Sequence, residues 1–140
     1  MEVILVSACL LGHNCKYNGK NNKNEKVLDY IKNKHVIPIC PEVFGGLTIP
    51  RLPSEIKDNK VINKTGKDVS DNFIRGANKT LEIAKKLNVK KALLKQNSPS
   101  CGCGRIYDGS FTNTIINGDG ITTRILKENN IEVITEEDLF

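Results

Sequence analysis

The chain has no tryptophan, one methionine and two histidines, and aromatic residues make up only 5% of its 140 positions. A core with so few large rings has to be built mainly from Val, Ile, Leu and Ala, as parallel α/β sheets commonly are. The same scarcity removes the aromatic platform on which single-stranded nucleic acid is held. No apolar run is long enough to cross a membrane, and Met1 to Gly12 has no basic residue and is too short for a secretory signal. Val6-Ser7-Ala8-Cys9 has the look of a lipoprotein cleavage box, but too few residues precede its cysteine. With 39% hydrophobic and 26% charged residues, the composition excludes a disordered chain, a collagenous repeat and a polytopic membrane protein. The expectation is one cytoplasmic domain over residues 1–140, with no membrane partner.

What the sequence does have is five cysteines: Cys9, Cys15, Cys40, Cys101 and Cys103. An odd number leaves one over in any fully paired disulfide scheme, and in a reducing cytoplasm such residues are more often metal ligands or reactive thiols. Their placement follows from the strands. Val3 to Ala8 is a continuous apolar run expected to be a strand buried on both faces. A turn-rich loop over 9–24 leads to a short helix at 25–33, and Val36-Ile37-Pro38-Ile39 reads as a second strand, with Pro38 placing it near a sheet edge. Residues 40–53 hold three prolines and two glycines, too irregular for a long element. Asp58-Asn59 and Thr65-Gly66 mark turns around a small hairpin. Ser70 or Asp71 is expected to cap a long helix built on Phe73, Ala77, Leu81 and Ala84. Ala92 to Leu94 forms a third strand, Gln96 to Arg105 a loop, and a helix through Ile121, Ile125 and Leu126 has Asp119 or Thr122 near its N-terminus, with Asp119 the expected cap. A strand at 131–134 and a turn capped by Thr135 end the chain.

Strand and helix alternate, which predicts a single Rossmann-like α/β domain with a mainly parallel sheet and flanking helices. Cys9, Cys40 and Cys101 then follow the first, second and third strands. All three loops leave the carboxyl edge of the sheet, where sites form. A lone cysteine is usually a small buried hydrophobe, but these three sit among Gly, Pro and Ser at strand ends. Cys15 and Cys103 are weaker candidates for a shared site. Structural zinc prefers paired knuckles spaced by two to four residues, and the chain has none. Thiolates are also the usual ligands of iron-sulfur clusters, and three would leave one iron open. Two other readings stand beside this one. A cysteine after a first parallel strand is similar to the anion loop of low-molecular-weight phosphatases and arsenate reductases, although their arginine position is Cys15 here. The lysines at 16, 20, 23, 26, 32 and 34 can neutralise phosphates of RNA, but a net charge of only +5 favours a solvated face.

Several separate motifs, in order, carry a family resemblance. They are Ser7-Ala8-Cys9-Leu10-Leu11-Gly12, Tyr17-Asn18-Gly19, Cys40-Pro41-Glu42-Val43, Pro50-Arg51, Gly66-Lys67-Asp68-Val69, Ser98-Pro99-Ser100-Cys101-Gly102 and Tyr107-Asp108-Gly109. From about residue 3 onward the chain resembles the thiouracil desulfurase family. The resemblance implies non-redox removal of sulfur from a small thiolated pyrimidine such as 2-thiouracil, at a 4Fe-4S cluster held by three cysteines. By motif those ligands are Cys9, Cys40 and Cys101, with the open iron taking the substrate sulfur. Glu42 becomes the candidate general acid/base, and Ser98 and Ser100 candidates for orienting substrate or water. Arg51 is a weaker candidate for a substrate oxygen. Cys15 and Cys103 depart from the family pattern, in which many relatives carry Val at the former position and a non-cysteine at the latter.

Overall fold

The structure is a computed structural model, described here for residues 1–139. Its centre is a four-stranded parallel sheet of β1 (Val3–Ser7), β2 (His35–Ile39), β5 (Lys91–Leu94) and β8 (Glu132–Thr135), in the spatial order β2-β1-β5-β8. β1 is central and pairs with both neighbours, Leu5 facing Ile37 on one side and Ala92 on the other. Its Ile4, Leu5 and Val6 are wholly buried, as a strand covered on both faces requires. β2 is an edge strand, which accommodates the missing amide of Pro38.

Helices fill the crossovers: α1 (Glu25–Tyr30), the short α2 (Pro41–Phe44), α3 (Ser70–Lys86) and α4 (Ile121–Glu128). Leu5, Ile39, Leu94 and Leu126 belong to one cluster of the core, while Ile4, Val6, Leu93 and Val27 fill another on the α1 side. A third cluster joins α3, through Phe73 and Ala77, to β3 (Ser54–Lys57) and β4 (Lys60–Asn63). That antiparallel pair is the expected hairpin, turning at Asp58 and Asn59, both of positive φ. No helix among the described residues is long and apolar enough to cross a membrane.

Local expectations needed correction at four points. Neither Ser70 nor Asp71 caps α3: Val69 is the cap residue, and the Ser70 hydroxyl accepts instead from the Val61 amide at 2.8 Å. Asp119 does not cap α4 either. It accepts from the Gly104 amide at 2.8 Å and pairs with Lys127, so it ties a loop down rather than starting a helix. α1 stops at Tyr30, short of residue 33. A second antiparallel pair, β6 (Arg105–Tyr107) and β7 (Ile115–Asn117), lies where the sequence showed no strand, because each is only three residues long. The terminal turn is capped by Thr135, with Asp138 completing a capping box.

A candidate site at the carboxyl edge of the sheet

The carboxyl ends of β1, β2 and β5 open into one cavity of about 480 Å³. Cys9, Cys40, Cys101, Glu42 and Ser98 all line it, and so do Cys15 and Arg51. All five cysteines are free thiols. Each of the three strand-end thiols is fixed by different local chemistry.

Cys9 sits in a 3-10 turn, Ala8–Leu11, that continues β1 and ends on Gly12 in a left-handed conformation. The loop beyond folds back, with the Asn22 amide donating to the Cys9 carbonyl at 2.9 Å. Burial pushes the Cys9 thiol up, with a hydrogen bond to Asn22 opposing. A raised thiol is the reverse of what the nucleophile of a phosphatase-type anion loop requires.

Cys40 is the N-cap residue of α2, and Pro41 occupies the first helical position with no amide to satisfy. α2 is held with its backbone against that of α3. A Cβ on Gly45 would lie 1.9 Å from the Asn72 carbonyl oxygen, so only glycine permits this approach. Cys40 is held down to about 7, chiefly by its contact with the Cys15 thiol and further by the Val43 amide of the helix start. The same contact, with burial, pushes Cys15 up, so Cys40 is the thiol of this pair that ionises first.

Cys101 lies at the centre of the braced loop between β5 and β6. Ser98 Oγ accepts from the amides of both Ser100 and Cys101 at 3.1 Å, and Thr123 Oγ1 donates to the Cys101 carbonyl at 2.8 Å. Gly120 abuts this turn so closely that a Cβ would sit 2.4 Å from the Ser100 carbonyl carbon. Gln96 braces the far end, joining both the amide and the carbonyl of Cys103. The Cys101 thiol is pushed up to about 12 by burial, with Ser7 opposing.

The remaining candidates divide. Glu42 is pushed up by burial, against the opposing effect of Arg51, whose Nε lies 3.1 Å from Oε1. Arg51 also donates to the carbonyls of Cys15 and Thr48, which leaves it bracing loops more than reaching for a substrate oxygen. Ser98 faces the cavity. Ser100 does not: it is fully buried, and its hydroxyl meets Thr122 Oγ1 at 2.8 Å. Cys103 is outside the cavity as well, with Sγ 3.8 Å from the Val133 carbonyl. Among the cavity residues that no sequence motif had singled out, three stand out. Lys95 is paired with Glu136 at 3.1 Å, Glu55 is buried on β3, and Phe111 lies beyond β6. Lys95 directly follows β5 and Glu55 lies within β3, and neither placement is a signal until the fold is seen.

The donor set can be tested against what it could hold. Among the described residues no group of three Cys, His, Asp or Glu is gathered tightly enough around one point for a single ion. Thiols set apart around a cavity suit a cluster that offers a separate corner to each. Cys9 and Cys101, whose thiols burial pushes up, also fit, since iron would supply the missing countercharge.

Comparison with known proteins agrees with the geometry. Residues 4–138 match the 2-thiouracil desulfurase family. The uncharacterized protein YbbK of Bacillus subtilis (strain 168) is 40% identical over 98% of this chain and 97% of its own. A solved structure described as the 4Fe-4S-dependent thiouracil desulfidase TudS (DUF523Vcz) superposes with a TM-score of 0.93. It is 40% identical to this chain, and the match covers 99% of this chain and 93% of that one.

Proposed function

The chain belongs to the 2-thiouracil desulfurase family, and from that premise we propose that it is a 4Fe-4S-dependent desulfidase. Its substrate is a small thiolated pyrimidine such as 2-thiouracil, in which water replaces the sulfur to give the oxo base and sulfide, with no net redox change. The observation that carries this reading is the convergence of Cys9, Cys40 and Cys101, from three strand ends, on one cavity that also holds the half-buried carboxylate of Glu42.

Cys9, Cys40 and Cys101 would hold the cluster. When bound through three thiolates, a 4Fe-4S cluster supplies an iron with an open position that acts as a Lewis acid toward the substrate sulfur. Glu42, its carboxyl raised by burial and steadied by Arg51, takes a proton from the attacking water and returns it to the departing sulfur. The Ser98 hydroxyl accepts two backbone amides, which orients its own proton as a donor toward substrate or water. Ser100 acts one step back, fixing the Cys101 turn through Thr122.

The test is turnover. Protein reconstituted anaerobically with iron and sulfide is incubated with 2-thiouracil, and uracil and sulfide are measured together. Equal amounts of both, dependent on the cluster, are expected. A fully loaded protein that releases neither would sink the reading, as would tight stoichiometric zinc with no iron under anaerobic conditions.

A further inference from the structure

Phe111 has a backbone conformation its side chain disfavours. Its φ of +58° lies in the left-handed region, which bulky L residues rarely enter and keep only where the surroundings over-determine it. Here the surroundings are specific. Glu55, on β3 and only 8% exposed, accepts from the Phe111 amide at 3.1 Å and from the Gly109 amide at 3.0 Å through one carboxylate oxygen. Gly109 lies directly on that strand, where a Cβ would be 2.5 Å from Lys57 Cβ. Asp108 closes the same turn on the Ser110 amide at 2.9 Å. A buried acid remote in sequence thus fixes a strained aromatic residue.

The ring is not held there to fill the core. Phe111 is half-buried, belongs to none of the three apolar clusters, and lines the cavity that the three cysteines share. A thiolated pyrimidine is flat, and aromatic faces hold flat heterocycles by offset stacking. Resting on the desulfidase reading above, we infer that Phe111 is the face on which the substrate ring stacks, and that Glu55 is the positioning residue that keeps it there.

The test uses the anaerobic holoenzyme, with 2-thiouracil as substrate and uracil as competing ligand. Phe111→Asn removes the ring but suits the left-handed backbone, because Asn tolerates it. From the usual strength of base–aromatic stacking, KM for 2-thiouracil and the inhibition constant of uracil should both rise about five- to a hundredfold. Iron content and the cluster's absorption spectrum should not move, and Phe111→Tyr should restore the affinity that Asn loses. Glu55→Ala should raise KM in the native background and add nothing in the Phe111→Asn background, since it acts through that ring. Unchanged KM in Phe111→Asn overturns the inference while leaving the desulfidase reading intact, and additive effects overturn the role of Glu55. A fully loaded wild-type enzyme that neither turns over 2-thiouracil nor binds uracil would overturn the functional reading and this inference with it.

Discussion

A Cβ placed on Gly76 would lie 1.8 Å from the carbonyl oxygen of Pro41. The α3 backbone therefore touches the first residue of α2, the short helix that carries Glu42 and is capped by Cys40. In an unconstrained helix, Gly→Ala stabilises by about 1 kcal/mol. Gly76→Ala should do the opposite, destabilising by about 1–3 kcal/mol through overpacking, and should lower iron bound per folded chain by displacing Cys40. Thermal denaturation and iron analysis check this, with the exposed Lys79→Ala on the same helix as control. A gain in stability would mean that α2 yields freely.

The cysteines should separate cleanly by place. Single Ala replacements at Cys9, Cys40 and Cys101 are expected to abolish cluster retention after anaerobic reconstitution. Cys103→Ala should retain the full complement, because its thiol faces Val133. Iron and acid-labile sulfide measured per chain decide the matter, and equal loss at all four positions would refute the ligand set.

Glu42 and Arg51 give a prediction in pH. Burial raises the Glu42 carboxyl and Arg51 is the group opposing that rise. Arg51→Met therefore removes the opposition, and the acid limb of kcat/KM should move to higher pH. Glu42→Gln should keep the cluster and lower kcat by about 10²- to 10⁴-fold, the usual weight of general acid–base catalysis. Rate profiles of the loaded variants provide the measurement, and an acid limb unmoved in Arg51→Met would remove Glu42 as its source.

Cys101 gives a prediction for the cluster-free protein. Its thiol is raised from 9.0 to about 12 in the fold. Between those values the unfolded chain releases the proton while the folded chain keeps it. Stability from this group is thus complete below pH 9.0 and falls as pH rises toward about 12, by about 1.4 kcal/mol per pH unit at most. Denaturant midpoints of cluster-free protein should fall over that range, and less steeply in Cys101→Ala. Parallel slopes in the two proteins would contradict it.

The sheet and the thiol cluster were legible because each rests on short-range signals. Val3 to Ser7 and Lys91 to Leu94 announce buried strands by their apolar runs, and Cys9, Cys40 and Cys101 are placed by strand ends alone. Helix caps were less legible. Ser70 and Asp119 have the right side chains at nearly the right places, yet their acceptors are taken by Val61 and Gly104, partners from other elements. β6 and β7 escaped notice because a three-residue strand has too few alternations to show a period. Glu55 was invisible for a related reason: its value lies in two amides more than fifty residues away, and no local pattern encodes such a pairing.

The position of β1 bears on the order of assembly. It lies between β2 and β5, so the thiols that follow these three strands become neighbours only when the central registers have closed. The contrast is with a zinc finger, whose ligands lie close together along the chain. The complete ligand set therefore exists only in the assembled sheet, which is the form that iron and sulfide would meet as a finished acceptor.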